Sequence, residues 1–183
     1  MAERRVRVFF VLASILALAV LPGKAQTTSE VSARERFVGA WRLVSIETLR
    51  PNGEVIYPFY GKHAQGLIMY DRSGWMSVQI VSDPAPAVPT AQSREEVRAA
   101  SAEEKSKAFD GYYAYRGTWT LDPANSTVTH HIKQSLTPGE KDEEAVRHFV
   151  LDGDRLILRA KTHEMGEDHE RKLVWQRIAI AQP

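Results

Sequence analysis

The sequence contains no cysteine. Disulfides, thiolate metal centres, cysteine nucleophiles and lipid attachment through an N-terminal cysteine are therefore all excluded. A fold built from these 183 residues has to rest on a hydrophobic core, and the length suits a single domain with a core large enough to be stable.

The chain also lacks an excess of charge of either sign, with 24 basic and 23 acidic residues. Because the two signs are nearly balanced, the composition gives no basic surface for binding nucleic acid or for polybasic attachment to a membrane. No nucleic-acid partner is predicted.

Recognisable catalytic motifs are absent as well. The sequence has no Gly-x-Ser-x-Gly elbow, no His-Glu-x-x-His and no glycine-rich phosphate loop. We predict no catalytic set, no metal ligands and no cofactor from motifs.

The one long apolar run lies at the N-terminus. Arg4, Arg5 and Arg7 precede the run 8–21, and Gly23-Lys24-Ala25 places small residues before a cut after Ala25. This layout predicts a cleaved signal peptide over 1–25, with a membrane anchor as the alternative. No integral membrane segment is expected after cleavage, and the Arg4-Arg5 pair leaves both the general secretory and the twin-arginine routes open. Export without disulfides predicts a periplasmic or secreted protein.

Most of the remaining chain alternates between strand patterns and short turns. Residues 26–36 are polar and are predicted to form a flexible leader, with at most a helical turn near 31–37. About nine strands follow, bounded by turn residues such as Asn52-Gly53. They are predicted at 39–49, 55–59, 67–71, 75–81, 112–121, 127–136, 146–151, 156–161 and 172–178.

One segment interrupts the strands. Residues 83–92 are rich in proline and cannot pair as a central strand. Ser93 and Ser101 each precede a glutamate by three residues, which is capping-box spacing. We predict one kinked helix or two short ones over 93–109, placed as a lid across the mouth of the fold.

Consecutive hairpins leave two exposed sheet edges unless the sheet closes. Up-and-down closure satisfies these edges with short turns alone, and the turns here are short. The predicted fold is therefore all-β: a closed, antiparallel up-and-down barrel of about 8–10 strands over residues 37–180. An open sandwich is the alternative.

The alternation also assigns side chains to faces. Leu156 and Leu158 are predicted to point inward, as are Val128, His130 and Ile132. The strand around Phe149 has two possible inward sets, and the bulkier set of Arg147, Phe149 and Leu151 is favoured over Val146, His148 and Val150.

A set of polar residues is predicted to line the interior and to form a ligand site. A charged side chain inside a barrel has to pair or to contact water or a ligand, because an unpaired buried charge is costly. Arg147 and His130 are predicted to recognise a carboxylate or carbonyl on an otherwise apolar ligand. A structural Arg147–Glu47 pair is the alternative. The candidate ligand-binding residues are Glu47, Tyr70, Gln79, Tyr115, His130 and Arg147.

The histidines raise a metal or haem alternative. His130 and His131 are adjacent, so a strand sends them to opposite faces. His163 and His169 flank an acidic turn that suits a solvated loop better than a cation site. Haem ligation through His130 is a further alternative.

Several segments of the sequence resemble a known family. Phe37 to Ser45, with Gly39-Ala40-Trp41, resembles the first strand of lipocalin-type barrels, and Leu173 to Arg177 resembles their last strand. In such barrels the arginine packs on the tryptophan at the closed end, which predicts cation–π stacking of Arg177 on Trp41. The chain as a whole resembles the bacterial and fungal lipocalin-like domain family over nearly all of 37–178. Further phrases that carry this resemblance are 57–59, 66–70, 74–79, 114–119 and 128–131.

The resemblance implies small-molecule binding. We therefore expect an exported lipocalin-like protein that holds a small, largely apolar ligand in the barrel. A barrel enzyme of the cyclase or isomerase type, with Glu47 or His130 as acid or base, is one alternative. A structural or partner-binding periplasmic module is the other. The sequence names neither the ligand nor the oligomeric state.

Overall fold

The structure is a computed structural model that describes residues 28–85 and 93–179. The predicted signal peptide, the start of the leader and most of the proline-rich segment lie outside these residues. Its helices and strands are, in chain order, α1 Thr28–Phe37, β1 Gly39–Leu49, β2 Val55–Ile56, β3 Gln65–Tyr70, β4 Trp75–Val81, α2 Arg94–Ala99, α3 Ala102–Asp110, β5 Tyr112–Asp122, β6 Thr127–Ser135, a 3₁₀ helix Pro138–Glu140, β7 Glu144–Asp152, β8 Arg155–Glu164 and β9 Glu167–Arg177.

The sheet closes into a barrel of eight long antiparallel strands. β1 pairs with β3, each strand from β3 to β8 pairs with the next along the chain, and β9 returns to pair with β1 from Trp41↔Arg177 to Leu49↔Glu170. The two-residue β2 adds only to the end of β1. Closure removes both sheet edges, which confirms the predicted all-β closed barrel.

The turns form as their residues predict. Gly53 and Gly74 both adopt positive φ, at 86° and 92°, a conformation that costs glycine least. Across the first turn, the Arg50 amide donates to the Glu54 carbonyl at 2.9 Å. The predicted strand 55–59 is wrong beyond Ile56, because the chain there bends into a loop across one end of the barrel.

Two β-bulges shift the register between neighbouring strands of the barrel. β1 contains one extra residue between Leu43 and Ser45 relative to β9. Trp41 and Leu43 are buried before this bulge, whereas Ile46 and Thr48 are buried after it, so the inward face changes parity. A second bulge between β5 and β6 brings the backbone so close at Gly117 that an added Cβ would lie 2.0 Å from the His131 carbonyl oxygen.

Helix α1 covers one end of the barrel, so the predicted flexible leader is wrong over 28–36. Phe37, at the end of the helix, is 1% exposed and meets the rings of Tyr70, Trp119 and Phe149 at centroid distances of 5.6, 6.0 and 4.8 Å. The apolar anchor holds the helix there, because a polar stretch alone has nothing to bury.

Trp41 and Arg177 complete this closed end. The Arg177 guanidinium lies 4.0 Å from the Trp41 ring centroid, as predicted, and donates to the Val38 carbonyl at 2.8 Å. Trp41 Nε1 donates to the Phe37 carbonyl at 2.9 Å. These bonds tie the helix α1 to the first and last strands.

The insertion between β4 and β5 forms two short helices at the opposite, open end. Ser93 accepts from the Glu96 amide, and Ser101 forms a full capping box with Glu104, as predicted. Neither helix has a buried residue. That this helical insertion acts as a lid stays a prediction. Within the described ranges, no helix is long and apolar enough to span a membrane.

Candidate functional site

The barrel encloses a cavity of about 280 Å³ between the aromatic closed end and the open end. This volume falls just below the usual range for small-molecule sites, roughly 300 to 1,000 Å³. Most of the wall is apolar and comes from inward positions of the long strands. The described residues that line it are Ile46, Phe59, Tyr60, Ile68, Val78, Ile80, Tyr113, Tyr115, His130, Thr137, Glu140, Arg147, Leu158, Ala160, Thr162, Glu164, Arg171, Leu173 and Trp175.

His130 lies at the inner end of the cavity between two tyrosines. Strand β6 points Val128, His130 and Ile132 inward, and His130 is 1% exposed. Its Nε2 lies 2.8 Å from the Tyr70 hydroxyl, and its Nδ1 lies 2.6 Å from the Tyr115 hydroxyl. Both ring nitrogens are therefore engaged by neighbouring side chains.

All three groups are neutral near physiological pH. Burial, together with the nearby Arg147 charge, holds the pKa of His130 well below its ordinary value of 6.5. Burial also raises the pKa of the Tyr115 hydroxyl, an effect that Arg147 partly offsets, and raises that of Tyr70. Desolvation disfavours the charged form of each group.

A neutral imidazole donates from one nitrogen and accepts at the other. Tyr70 is 1% exposed, and the recorded partner of its hydroxyl is His130 Nε2. We assign the hydrogen to Nδ1, so that Tyr70 donates to Nε2 and Nδ1–H donates to the Tyr115 oxygen. The Tyr115 O–H then has its own hydrogen left to donate into the cavity.

Arg147 stands beside this hydroxyl. It projects inward from β7 with Phe149 and Leu151, as predicted, and it interacts with the Tyr115 oxygen. One guanidinium nitrogen donates to the Val146 carbonyl at 3.2 Å. No salt bridge joins Arg147 to a carboxylate in the part of the chain that the structure describes.

Polar groups also surround the mouth of the cavity. Glu140, on the 3₁₀ helix, accepts from the Tyr113 hydroxyl at 3.0 Å and from Ser135 Oγ at 2.6 Å. Arg171 pairs with Glu164. Its guanidinium also lies 5.8 Å from the ring centroid of Phe59, which adopts a positive φ of 70°.

Three of the six sequence-predicted site residues line the cavity together, namely Tyr115, His130 and Arg147. Tyr70 lies directly behind His130 and holds it through the hydrogen bond to Nε2. The remaining two, Glu47 and Gln79, lie outside.

The inward orientation predicted for Glu47 is wrong because of the β1 bulge. Glu47 instead bonds Lys172 at 3.0 Å and Ser45 at 3.1 Å. Burial raises the pKa of the Glu47 carboxyl, but these hydrogen bonds outweigh it and the net shift is downward. The proposed Arg147–Glu47 pair therefore does not form.

Gln79 is also misplaced by the sequence-based prediction. Its strand buries Met76, Val78 and Ile80, so Gln79 is exposed and accepts from the Tyr112 hydroxyl at 3.1 Å. The run of apolar residues at even positions is the sequence signal that places Gln79 on the outer face.

The residues at the mouth of the cavity were not predicted from the sequence. Phe59 and Tyr60 belong to the loop after β2, although Phe59 was predicted to end the strand 55–59, and Arg171 belongs to the part of β9 that the predicted strand omitted. The consecutive aromatics 57–60 around a proline were the available signal, since a loop that exposes aromatic rings often borders a site.

The histidine alternatives find little support in the geometry. His163 Nδ1 lies 2.8 Å from the Asp168 carboxylate in an exposed hairpin. Among the described residues, no group of three or more His, Cys, Asp or Glu could hold a metal ion. His130 has both ring nitrogens engaged, so ligation of haem iron would require a tyrosine bond to break.

A closed eight-strand barrel with a plugged end and an internal cavity is the architecture of lipocalin-type proteins. A family model described as a lipocalin-like domain matches residues 38–178, and the chain therefore belongs to the lipocalin-like domain family. A comparison with curated proteins found no match.

Among solved structures, the chain is similar to bovine odorant-binding protein in complex with a selenium-containing odorant. The two are 11% identical, the match covers 88% of this chain and 79% of the other, and the TM-score is 0.41.

Proposed function

We propose that the protein binds a small, largely apolar molecule inside the barrel and recognises a carboxylate or carbonyl oxygen at its inner end. One observation carries this proposal. The Tyr115 hydroxyl and the Arg147 guanidinium lie together at the inner end of a cavity whose middle wall is apolar, and no salt bridge among the described residues joins Arg147 to a carboxylate.

The electrostatics favour an oxygen acceptor at this position. The neutral His130 fixes the Tyr115 oxygen from one side, which leaves the Tyr115 O–H as a donor. Arg147 adds charged donors with a planar geometry that suits a carboxylate. A ligand oxygen here would accept from both groups, whereas an apolar ligand would leave the Tyr115 O–H and the guanidinium N–H groups not bonded to Val146 without an acceptor.

The geometry favours binding over proton-transfer catalysis. Glu47, one of two candidate acids or bases, lies outside the cavity in a pair with Lys172. His130, the other, has both nitrogens engaged by tyrosines. A general base has to reach the proton that it removes, and neither residue presents a free atom for that purpose.

The test is a titration with straight-chain acids from hexanoic to dodecanoic acid and with the matching alcohols. Arg147→Met keeps an apolar stem of similar length but removes the charge. We expect it to weaken acid binding roughly ten- to hundred-fold and to leave alcohol binding nearly unchanged, because hydrogen bonds to a charged group contribute about 1.5–3 kcal/mol. Isothermal titration calorimetry measures both.

Arg42→Met is the matched control, since Arg42 is exposed on β1. Thermal unfolding should show that Arg147→Met is as stable as wild type, because no salt bridge among the residues that the structure describes joins Arg147 to a carboxylate. Equal acid affinity in wild type and Arg147→Met, or a marked loss of stability, would contradict the proposal. Native mass spectrometry of protein from its own host would identify a retained ligand.

We also propose that the protein is exported, with residues 1–25 as a cleaved signal peptide. The basic residues Arg4, Arg5 and Arg7, the apolar run 8–21 and the small residues before Gln26 support this. Expression in a bacterium, followed by cell fractionation and intact-mass measurement, should give a periplasmic or secreted protein that begins at Gln26. Unprocessed protein in the cytoplasmic fraction would refute export.

A further inference from the structure

The mouth of the cavity contains a cluster of buried polar atoms without hydrogen-bond partners. In the described residues, such atoms are Arg50 Nε, Thr162 Oγ1, both ring nitrogens of His169, Arg171 Nε and Trp175 Nε1. Except for Trp175, these residues lie at or next to the strand ends at the mouth of the barrel. Arg50 Nε lies 3.1 Å from a Glu167 carboxylate oxygen and so has an ionic partner, although the bond is poorly aligned.

Three of these residues stand next to one another on β8 and β9. Thr162 pairs directly with His169, and the neighbouring pair is Ala160 with Arg171. Residues at these positions all point into the barrel, and directly paired residues bring their Cβ atoms within roughly 5 Å. His169 is 4% exposed, so water outside the barrel does not reach its ring freely.

Buried polar groups in folded proteins are nearly always hydrogen-bonded, and a cluster of exceptions calls for an external partner. Thr162 and Arg171 both line the cavity. An occupant of the cavity would therefore meet unsatisfied polar atoms at its outer end as well as at its inner end.

The charges at the two ends differ. Arg171 is paired with Glu164, and Arg50 is paired with Glu167, so positive charge at the mouth is already balanced by nearby carboxylates. Arg147 at the inner end has no such partner in a described salt bridge. A carboxylate therefore suits the inner end, and a neutral oxygen that can both donate and accept suits the mouth.

We infer that the ligand is a carboxylic acid whose apolar body carries a hydroxyl group at the far end, and that Thr162 and Arg171, which line the cavity, form the subsite for that hydroxyl, with His169 packed beside Thr162. This inference rests on the proposed function. The apolar body would lie along Ile46, Ile80 and Leu173, which line the cavity together with the residues of both ends.

The test compares each acid from hexanoic to dodecanoic acid with its ω-hydroxy counterpart on the full-length protein. We expect one chain length at which the ω-hydroxy acid binds roughly three- to ten-fold tighter than the plain acid, the gain of about one net hydrogen bond. Thr162→Val removes the hydroxyl at constant shape and should abolish this preference, because the ω-hydroxy acid loses its partner and the plain acid loses none. Thr129→Val, on the outer face of β6, is the control and should keep the preference.

Thermal unfolding separates a ligand subsite from a structural role. Thr162→Val should leave the melting temperature unchanged or raise it, because it removes a buried hydroxyl that has no partner. A hydroxyl preference absent at every chain length would overturn the subsite, as would an equal loss of both affinities in Thr162→Val or a lowered melting temperature. If plain acids bind and depend on Arg147, the proposed function survives that failure. If no acid binds, both are overturned.

Discussion

At the scale of single residues, the inner end of the cavity depends on one histidine kept neutral by its surroundings. His130 is enclosed by Tyr70 and Tyr115, and Arg147 adds a positive charge nearby. Burial and that charge both oppose protonation, so His130 acts as a fixed donor and acceptor rather than as a cation. Its function in the fold is to orient the Tyr115 hydroxyl.

This neutrality has a consequence for stability as a function of pH. In the unfolded chain His130 titrates near 6.5, whereas in the folded chain its pKa lies well below that value. Below about pH 6.5 the unfolded state therefore binds a proton that the folded state does not. The free energy of unfolding should fall as the pH drops, by up to about 1.4 kcal/mol per pH unit from this residue.

His130→Gln keeps a donor and an acceptor but cannot titrate. Urea unfolding between pH 6.5 and 5, above the range in which most carboxylates titrate, should show a shallower fall in stability than in wild type. His148→Gln, an exposed position on β7, is the matched control and should keep the wild-type slope. Equal slopes in wild type and His130→Gln would show that His130 protonates in the folded state.

At the scale of elements, α1 closes one end of the barrel. Its charged surface gives little reason for a stable helix on its own, and the anchor is the ring of Phe37 among Tyr70, Trp119 and Phe149. The Arg34 guanidinium also lies 4.0 Å from the Trp119 ring centroid. The helix is thus held by tertiary contacts rather than by helix propensity.

Phe37→Ala should therefore destabilise the protein by about 3–5 kcal/mol, the usual cost of removing a buried phenylalanine ring. Phe109→Ala is the control, because Phe109 is 48% exposed on α3 and should cost no more than about 0.5 kcal/mol. Chemical denaturation followed by tryptophan fluorescence measures both. If the two variants lose equally little, residues 28–36 behave as the flexible leader that the sequence predicted.

Strand β1 shows why part of the site escaped prediction at this scale. Its bounds were predicted correctly as 39–49, and strict alternation then places Glu47 inward and Ile46 outward. One extra residue near Val44 reverses that order for the second half of the strand. A bulge depends on how β1 fits β9, and the sequence of β1 alone carries no signal for it.

At the scale of the whole molecule, closure decides where the site lies. β1 and β9 are separated by more than a hundred residues, yet their pairing turns inward-pointing side chains from every long strand into the wall of one cavity. His130 on β6, Arg147 on β7 and Tyr115 on β5 come together in this way. Their proximity is a property of the closed barrel.

The sequence by itself determined the course of the long strands, the hairpin turns, the helical insertion and the inward faces of β6 and β8, and it favoured the correct face of β7. Those features follow from local chemistry: side-chain alternation, glycine in turns and serine caps. Only the tertiary structure decided the parity of β1, the docking of α1 and the contacts of His130 with two tyrosines, because each depends on residues distant in sequence. The cluster of Thr162, His169 and Arg171 belongs to this second group, since burial without partners exists only in the folded barrel.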